Sequence, residues 1–180
     1  MEINRCWSMP NKNTFFIPPI TALLQKYFVL LPDKAVVIDP FANNGCKELL
    51  KRNDLIYISN DLDKSCNTTH HLDSTDFLKS LKDTSVDMVL YDPPYSPRQV
   101  SECYKKLGQT VDMKTTQASY WSNQKKEIQR IVKPNGIVVT CAWNSGGIGQ
   151  KYGFEIEEIL LVPHGGWHND TIITIERKVK

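Results

Sequence analysis

The string Asp92-Pro93-Pro94-Tyr95 is the densest piece of chemistry in the chain, because it follows directly on the apolar run Val86 to Tyr91. Two consecutive prolines carry no N–H and fix φ, so the carbonyls around them lack sheet partners and the corner is stiff. Fixed acceptors suit a group with two N–H donors, such as the exocyclic amine of a nucleobase. A carboxylate and a rigid carbonyl that accept both hydrogens can draw the nitrogen lone pair out of conjugation and aim it at an electrophile. Tyr95 adds an aromatic face on which a base can stack. The bland alternative is a Pro-Pro turn that ends a strand, with a core tyrosine beside it.

Other polar residues stand at the ends of apolar runs: Asp39 with Pro40-Phe41-Ala42-Asn43-Asn44-Gly45, then Asn60-Asp61, then Asp73-Ser74. A turn rich in Asn and Gly permits positive φ and close backbone approach to a ligand. Asp61, 22 positions beyond Asp39, sits where an acidic group commonly accepts from ribose hydroxyls. A lone acid at such a position is more often a helix cap. Three in register read as a nucleoside pocket. Neither GxGxxG nor GxxxxGK is present, which disfavours a pyrophosphate or triphosphate ligand.

The elements that must position these residues follow from the apolar pattern. Ala35 to Ile38, Leu55 to Ser59, Val86 to Tyr91 and Ile137 to Ala142 are short continuous runs, as expected of strands buried on both faces. The turn Pro134-Asn135-Gly136 introduces the fourth. Helices are predicted over Thr21 to Leu31, stopped by Pro32, and over Ser122 to Val132. Alternation at this spacing implies a mostly parallel sheet, in which ligands bind at the carboxyl ends of the strands. Phe154 to Val162 and Thr171 to Arg177 leave no room for a helix between them, so they pair antiparallel. Pro93 to Ser119 shows no core pattern and reads as a long functional loop.

At 180 residues, 41% hydrophobic and 23% charged, the chain suits one domain with a core large enough to need no staples. No apolar stretch reaches the roughly 18 residues of a membrane span, and the opening residues lack a secretory leader. The five cysteines are scattered, as reduced thiols in a cytoplasmic protein would be. Ser96 to Lys133 carries a net +5 against −3 for the remainder, either the footprint of a polyanion or a solvated helix and loop. His164 and His168 are separated by Gly165 and Gly166 among others, with no completing ligands, so no metal site is expected. Trp143, at the end of a strand, is expected in the core.

Together, Asp92-Pro93-Pro94-Tyr95 with Ser96-Pro97-Arg98-Gln99, the Val37-Ile38-Asp39-Pro40-Phe41 opening, Asn60-Asp61, Met9-Pro10-Asn11-Lys12-Asn13-Thr14-Phe15 and Trp167-His168-Asn169-Asp170-Thr171-Ile172 carry a resemblance. The chain resembles the S-adenosylmethionine-dependent amino-methyltransferases, and within them the small phage-type DNA N6-adenine methyltransferases. The resemblance implies an α/β fold: a Rossmann-like, seven-stranded, mostly parallel sheet with an antiparallel C-terminal hairpin, as a single domain over residues 1–180. Residues 1–33 would cover the cofactor and supply the first helix. The 96–120 loop would choose the target in place of a separate recognition domain.

The resemblance also implies roles. Asp39, Pro40, Phe41, Asn43 and Gly45 would hold the methionine part of S-adenosylmethionine, Asp61 with Leu62 the ribose, and Asp73 with Ser74 the adenine, while Trp7 and Phe15 are candidates to pack on it. Asp92 and the Pro93 carbonyl would hold the target amine, Pro94 would stiffen the corner and Tyr95 would stack on the flipped base. Arg98, Lys105, Lys106 and Lys114 would contact DNA. Where this family usually has glycine, the chain has Asn43, which also tolerates a left-handed conformation. The activity implied is methyl transfer to N6 of adenine in DNA, in a bacterial or infected host cell. Cytosine N4 or RNA adenine as target, a nucleic-acid-binding protein with a vestigial pocket, and an accessory subunit remain open readings.

Overall fold

The computed structural model describes residues 1–112 and 117–180. Seven strands, β1 (Glu2–Arg5), β2 (Val36–Asp39), β3 (Ile56–Ser59), β4 (Val86–Tyr91), β5 (Val132–Ala142), β6 (Phe154–Val162) and β7 (Thr171–Lys178), form one sheet in the order β1-β6-β7-β5-β4-β2-β3. Neighbours pair parallel except β7, which runs antiparallel to both β5 and β6. The mostly parallel α/β sheet with its reversed C-terminal hairpin is as expected. Its seventh strand is β1, which sequence reading leaves as irregular opening. β1 is four residues long and exposed throughout, so no apolar run announces it.

All six residues of β4 are buried, because helices cover both faces of the sheet there. Successive side chains alternate between two cores. Val37, Met88, Leu90, Val139 and Cys141 pack with Leu24 and Phe28 of α1 (Pro18–Val29). Ile38, Val89, Tyr91 and Val138 pack with Phe77 and Leu78 of α2 (Ser74–Ser80) and with Ile128 and Ile131 of a later helix. α1 begins three residues before the predicted start, with Pro18 and Pro19 in its first turn, where a missing N–H costs nothing.

The stretch read as a patternless loop contains α3 (Pro97–Lys106), a correction to the 96–120 loop expectation. Ser96 is its N-cap, accepting from Gln99 N at 3.3 Å, and Gln99 Oε1 accepts from Tyr95 N at 2.6 Å. With Pro97 in the first turn, this is close to a capping box. α4 (Ser119–Ile131) runs into β5. The Pro134-Asn135-Gly136 turn lies inside β5 as a bulge: Val86 pairs with Val132, but Met88 pairs with Ile137, and Asn135 is left-handed at φ 64°. Among the described residues, no helix is long and apolar enough to cross a membrane.

Candidate active site

A cavity of about 500 Å³ opens at the carboxyl ends of β2, β3 and β4. It brings together Phe15, Pro40, Phe41, Asn43, Gly45, Asp61, Leu62, Asp73 and Ser74 with all four residues of the diproline corner, Asp92 to Tyr95. Two of the predicted cofactor residues are absent from its lining. Trp7 is carried away by the pairing of its segment with β6 and is 60% exposed, beside Gly165. Asp39 is buried behind the wall.

Asp39 acts from there as a brace. Its carboxylate accepts from Phe41 N at 3.2 Å and from Tyr57 Oη at 3.1 Å, while Tyr57 Oη accepts from Cys46 N at 3.1 Å. Burial pushes the Asp39 pKa up to about 8 despite these donors. In the loop so held, Asn43 takes the left-handed conformation at φ 52° and Gly45 at φ 76°. Asn43 N donates to Asp61 Oδ2 at 2.8 Å, and its side-chain amide donates to Asn13 Oδ1 at 3.1 Å. Asp61 Oδ1 accepts from Asp63 N at 2.8 Å. Asn60, fully buried, ties three segments: its amide donates to the carbonyls of Pro40 (3.1 Å) and Leu72 (3.0 Å), and its Oδ1 accepts from Leu72 N at 2.9 Å.

At the corner, Tyr95 Oη donates to Asp92 Oδ1 at 2.6 Å. Burial raises the Asp92 pKa, opposed by the hydrogen bonds from Tyr95 and Thr14. The Pro94 carbonyl accepts from the Trp121 indole at 3.0 Å, so α4 holds the corner from outside. Among the described residues no hydrogen bond reaches the Pro93 carbonyl. Trp143 meets the Tyr95 ring edge-on, centroids 5.6 Å apart, and is 41% exposed, which corrects its expected place in the core.

The far wall was not foreseen. Tyr104 of α3 and Tyr120 of α4 line the cavity, edge-on to each other at 6.5 Å. Asp73 both caps α2, accepting from Thr75 N at 2.9 Å, and accepts from the Tyr104 hydroxyl. Ser74 Oγ accepts from Gln124 at 3.0 Å, and Gln124 in turn accepts from the Tyr91 hydroxyl at 2.6 Å. The signal for Tyr104 was present in Val100 and Tyr104, spaced by four behind the Ser96-x-x-Gln99 cap.

Among the described residues, three of the eight basic side chains between Ser96 and Lys133 are in ion pairs. Arg98 pairs with Glu102, Arg130 with Asp83 and Glu127, and Lys133 with Asp87. Lys125 donates to the Gly147 carbonyl. Lys105 is exposed on α3 and Lys106 lines the cavity mouth. Lys114 lies outside the described residues. His164 is buried, with Nδ1 against the Ser8 carbonyl (2.9 Å) and Nε2 against Thr171 Oγ1 (2.8 Å), while His168 is exposed.

No family model matches the sequence, and no curated protein matches it. Solved structures do resemble it. TrmN from Thermus thermophilus aligns with a TM-score of 0.61 at 14% identity, over 91% of this chain and 49% of that one, so the chain spans about half of TrmN's length. The 1,6-didemethyltoxoflavin-N1-methyltransferase of Burkholderia thailandensis gives 0.60 at 12% identity, over 90% of this chain and 77% of that one. An rRNA methylase from Streptococcus thermophilus gives 0.56 at 10% identity, over 88% and 95%. At these identities the likeness is one of fold: the chain has the α/β sheet architecture found in these methyltransferases.

Proposed function

We propose that the protein transfers a methyl group from S-adenosylmethionine to an exocyclic amine of a nucleic acid, with N6 of adenine in DNA as the target. The observation that carries this reading is that Asp92, Pro93 and Tyr95 open on the same cavity as Asp61 and the left-handed loop at Asn43. The cofactor fits the residues present. The cavity falls within the roughly 300–1,000 Å³ of small-molecule sites, Asp61 has lone pairs beyond the two that bind backbone N–H groups, and Tyr104 and Tyr120 offer apolar faces. Similar folds were crystallised with S-adenosylhomocysteine and with SFG, which supports the same choice.

When bound, the cofactor supplies an electrophilic methyl group on its sulfonium. The protein's own work is then positioning. Asp92 and the Pro93 carbonyl would accept the two N–H bonds of the target amine and free its nitrogen lone pair for the transfer, and the proton the methylated nitrogen sheds would pass to Asp92 or to water, with S-adenosylhomocysteine as the leaving product. Tyr95 stacks on the target base, which must stand outside any base pair because an amine inside a duplex is out of reach. The rigid corner, held through Pro94 by Trp121, keeps these acceptors fixed without reorganisation.

The test is to incubate the purified protein with methyl-labelled cofactor and DNA of varied sequence, then digest the product and separate nucleosides by mass spectrometry. Label in N6-methyladenine is expected. Label in N4-methylcytosine, or only with RNA, moves the target within the same chemistry, and label in no nucleoside overturns the reading.

A further inference from the structure

The residues at the carboxyl edge of the sheet include an apolar surface that the methyl-transfer reading leaves unused. Trp167 is fully exposed, Trp7 is 60% exposed and Trp143 is 41% exposed. They sit on separate loops that the sheet register brings side by side. Trp143 follows β5, whose last residue Ala142 pairs with Ile172 of β7, Trp167 lies in the turn from β6 to β7, and Trp7 follows β1 alongside β6. With Tyr95 after β4, four aromatic residues stand along neighbouring strand ends from β1 to β4, a span of roughly 19 Å at the usual strand spacing.

The row has a rigid base. His164 bridges Ser8 and Thr171 through its two ring nitrogens, and Ser8 N donates to the Pro163 carbonyl at 3.2 Å. The segment of Trp7 is thereby clasped to the turn of Trp167. Gly165 and Gly166 are left-handed at φ 71° and 60°, and a Cβ built on Gly165 would stand 3.5 Å from the Trp7 indole nitrogen. The row is also continuous with the catalytic corner, because Trp143 touches Tyr95 and Tyr95 is bonded to Asp92. Three exposed indoles on neighbouring strand ends, Trp167 with its whole surface free, are open to a ligand.

We propose that Trp7, Trp143 and Trp167 form a stacking platform for unpaired bases next to the target, so that the protein takes its nucleic acid as a single strand. The proposal rests on the methyl-transfer reading for the place of the target base and deepens it by naming the substrate's form. Indole faces bind bases that are free to unstack, whereas a duplex presents phosphates and base edges. Duplex binding draws chiefly on phosphate contacts, and here Arg130 and Lys133 are held in partly buried ion pairs with Asp83, Glu127 and Asp87, while Arg98 pairs with Glu102 at the surface. Arg5, two residues before Trp7, and Lys12, on the rim of the main cavity, are exposed and have no ion pair among the described residues, and Asp170 is the acid in the turn of Trp167. That charge suits one backbone passing over stacked bases.

The experiment measures fluorescence anisotropy of a labelled single-stranded DNA oligonucleotide, of the same sequence as a blunt duplex, and of an abasic strand. Wild-type protein is compared with the Trp7→Ala, Trp167→Ala double variant, whose exposed side chains bear little on folding. Wild type should bind the single strand at least about tenfold more tightly than the other two probes, and the double variant should lose roughly five- to 150-fold per stacked base. Equal binding of duplex or abasic strand, or a double variant that binds as wild type, overturns the proposal. So does a wild-type dimer that the double variant dissolves in sedimentation, which would make the surface a contact with a second copy. Calorimetry with S-adenosylmethionine on the same proteins reads the methyl-transfer proposal alone, so the two ideas fail separately.

Discussion

Tyr95 donates its hydroxyl to Asp92 at 2.6 Å, so the aromatic residue meant to face the target base also holds an oxygen meant for the target amine. An incoming amine must share or displace that hydroxyl. Tyr95→Phe keeps the ring and removes the competitor, and is expected to leave the maximal rate near wild type while lowering the KM for nucleic acid. Tyr95→Ala removes the stacking face and should cost roughly five- to 150-fold in kcat/KM. Steady-state kinetics on both variants separates the two roles.

In the proposed role, Asp92 accepts the amine hydrogens most strongly when ionised. Burial raises its pKa above the ordinary 3.8, so the transfer rate should climb with pH through an apparent value above that figure. Asp92→Ala should lower transfer by about a hundredfold or more while cofactor affinity, measured by calorimetry, stays close to wild type. Loss of both together would assign Asp92 a folding role instead.

Trp121 reaches the corner through a single hydrogen bond to the Pro94 carbonyl. Trp121→Phe removes that bond and keeps most of the packing. A stability loss of about 0.5–1.5 kcal/mol is expected in chemical denaturation, together with a several-fold fall in transfer rate and an unchanged cofactor affinity.

Asp39 makes stability depend on pH. Its pKa is about 8 in the folded protein against an ordinary 3.8, so between these values the folded state holds more protons than the unfolded chain. Its contribution is complete below about pH 4, declines as pH rises through the window, and levels off above about 8. Wild type should therefore lose more melting temperature between pH 6 and pH 9 than Asp39→Asn does, because the variant has nothing to titrate there.

Asn60→Ala tests the knot behind the pocket. The substitution strands the buried Pro40 carbonyl and takes the side-chain partner from the part-buried Leu72 N–H and carbonyl. About 2–4 kcal/mol of stability should be lost, and cofactor affinity should fall because the loop from Pro40 to Gly45 loses its tether.

The central strands were legible because burial on both faces leaves a continuous apolar run, as at Val86 to Tyr91. The polar residues that end those runs then marked the cavity. Asp39 misled, since an acid at a strand end reads the same whether it faces ligand or, as here, supports a loop from behind through Tyr57 and Phe41. α3 escaped because only Val100 and Tyr104 are buried in it, too few for a periodic signal, although the Ser96-Pro97-Arg98-Gln99 cap was legible. The charge count overstated the basic surface, for partners such as Asp83 and Asp87 lie in other parts of the sequence.

The parallel pairing of β1 with β6 joins Glu2 to Glu158 and Arg5 to Leu161. On the ribosome, β1 therefore has nothing to join until β6 has emerged about 150 residues later, a wait of roughly ten to thirty seconds at about 5–20 residues per second. Nascent chains should complete this sheet edge only once β6 is free to pair, with Glu2, Asn4 and Arg5 keeping the waiting segment too polar to seek the wrong neighbour.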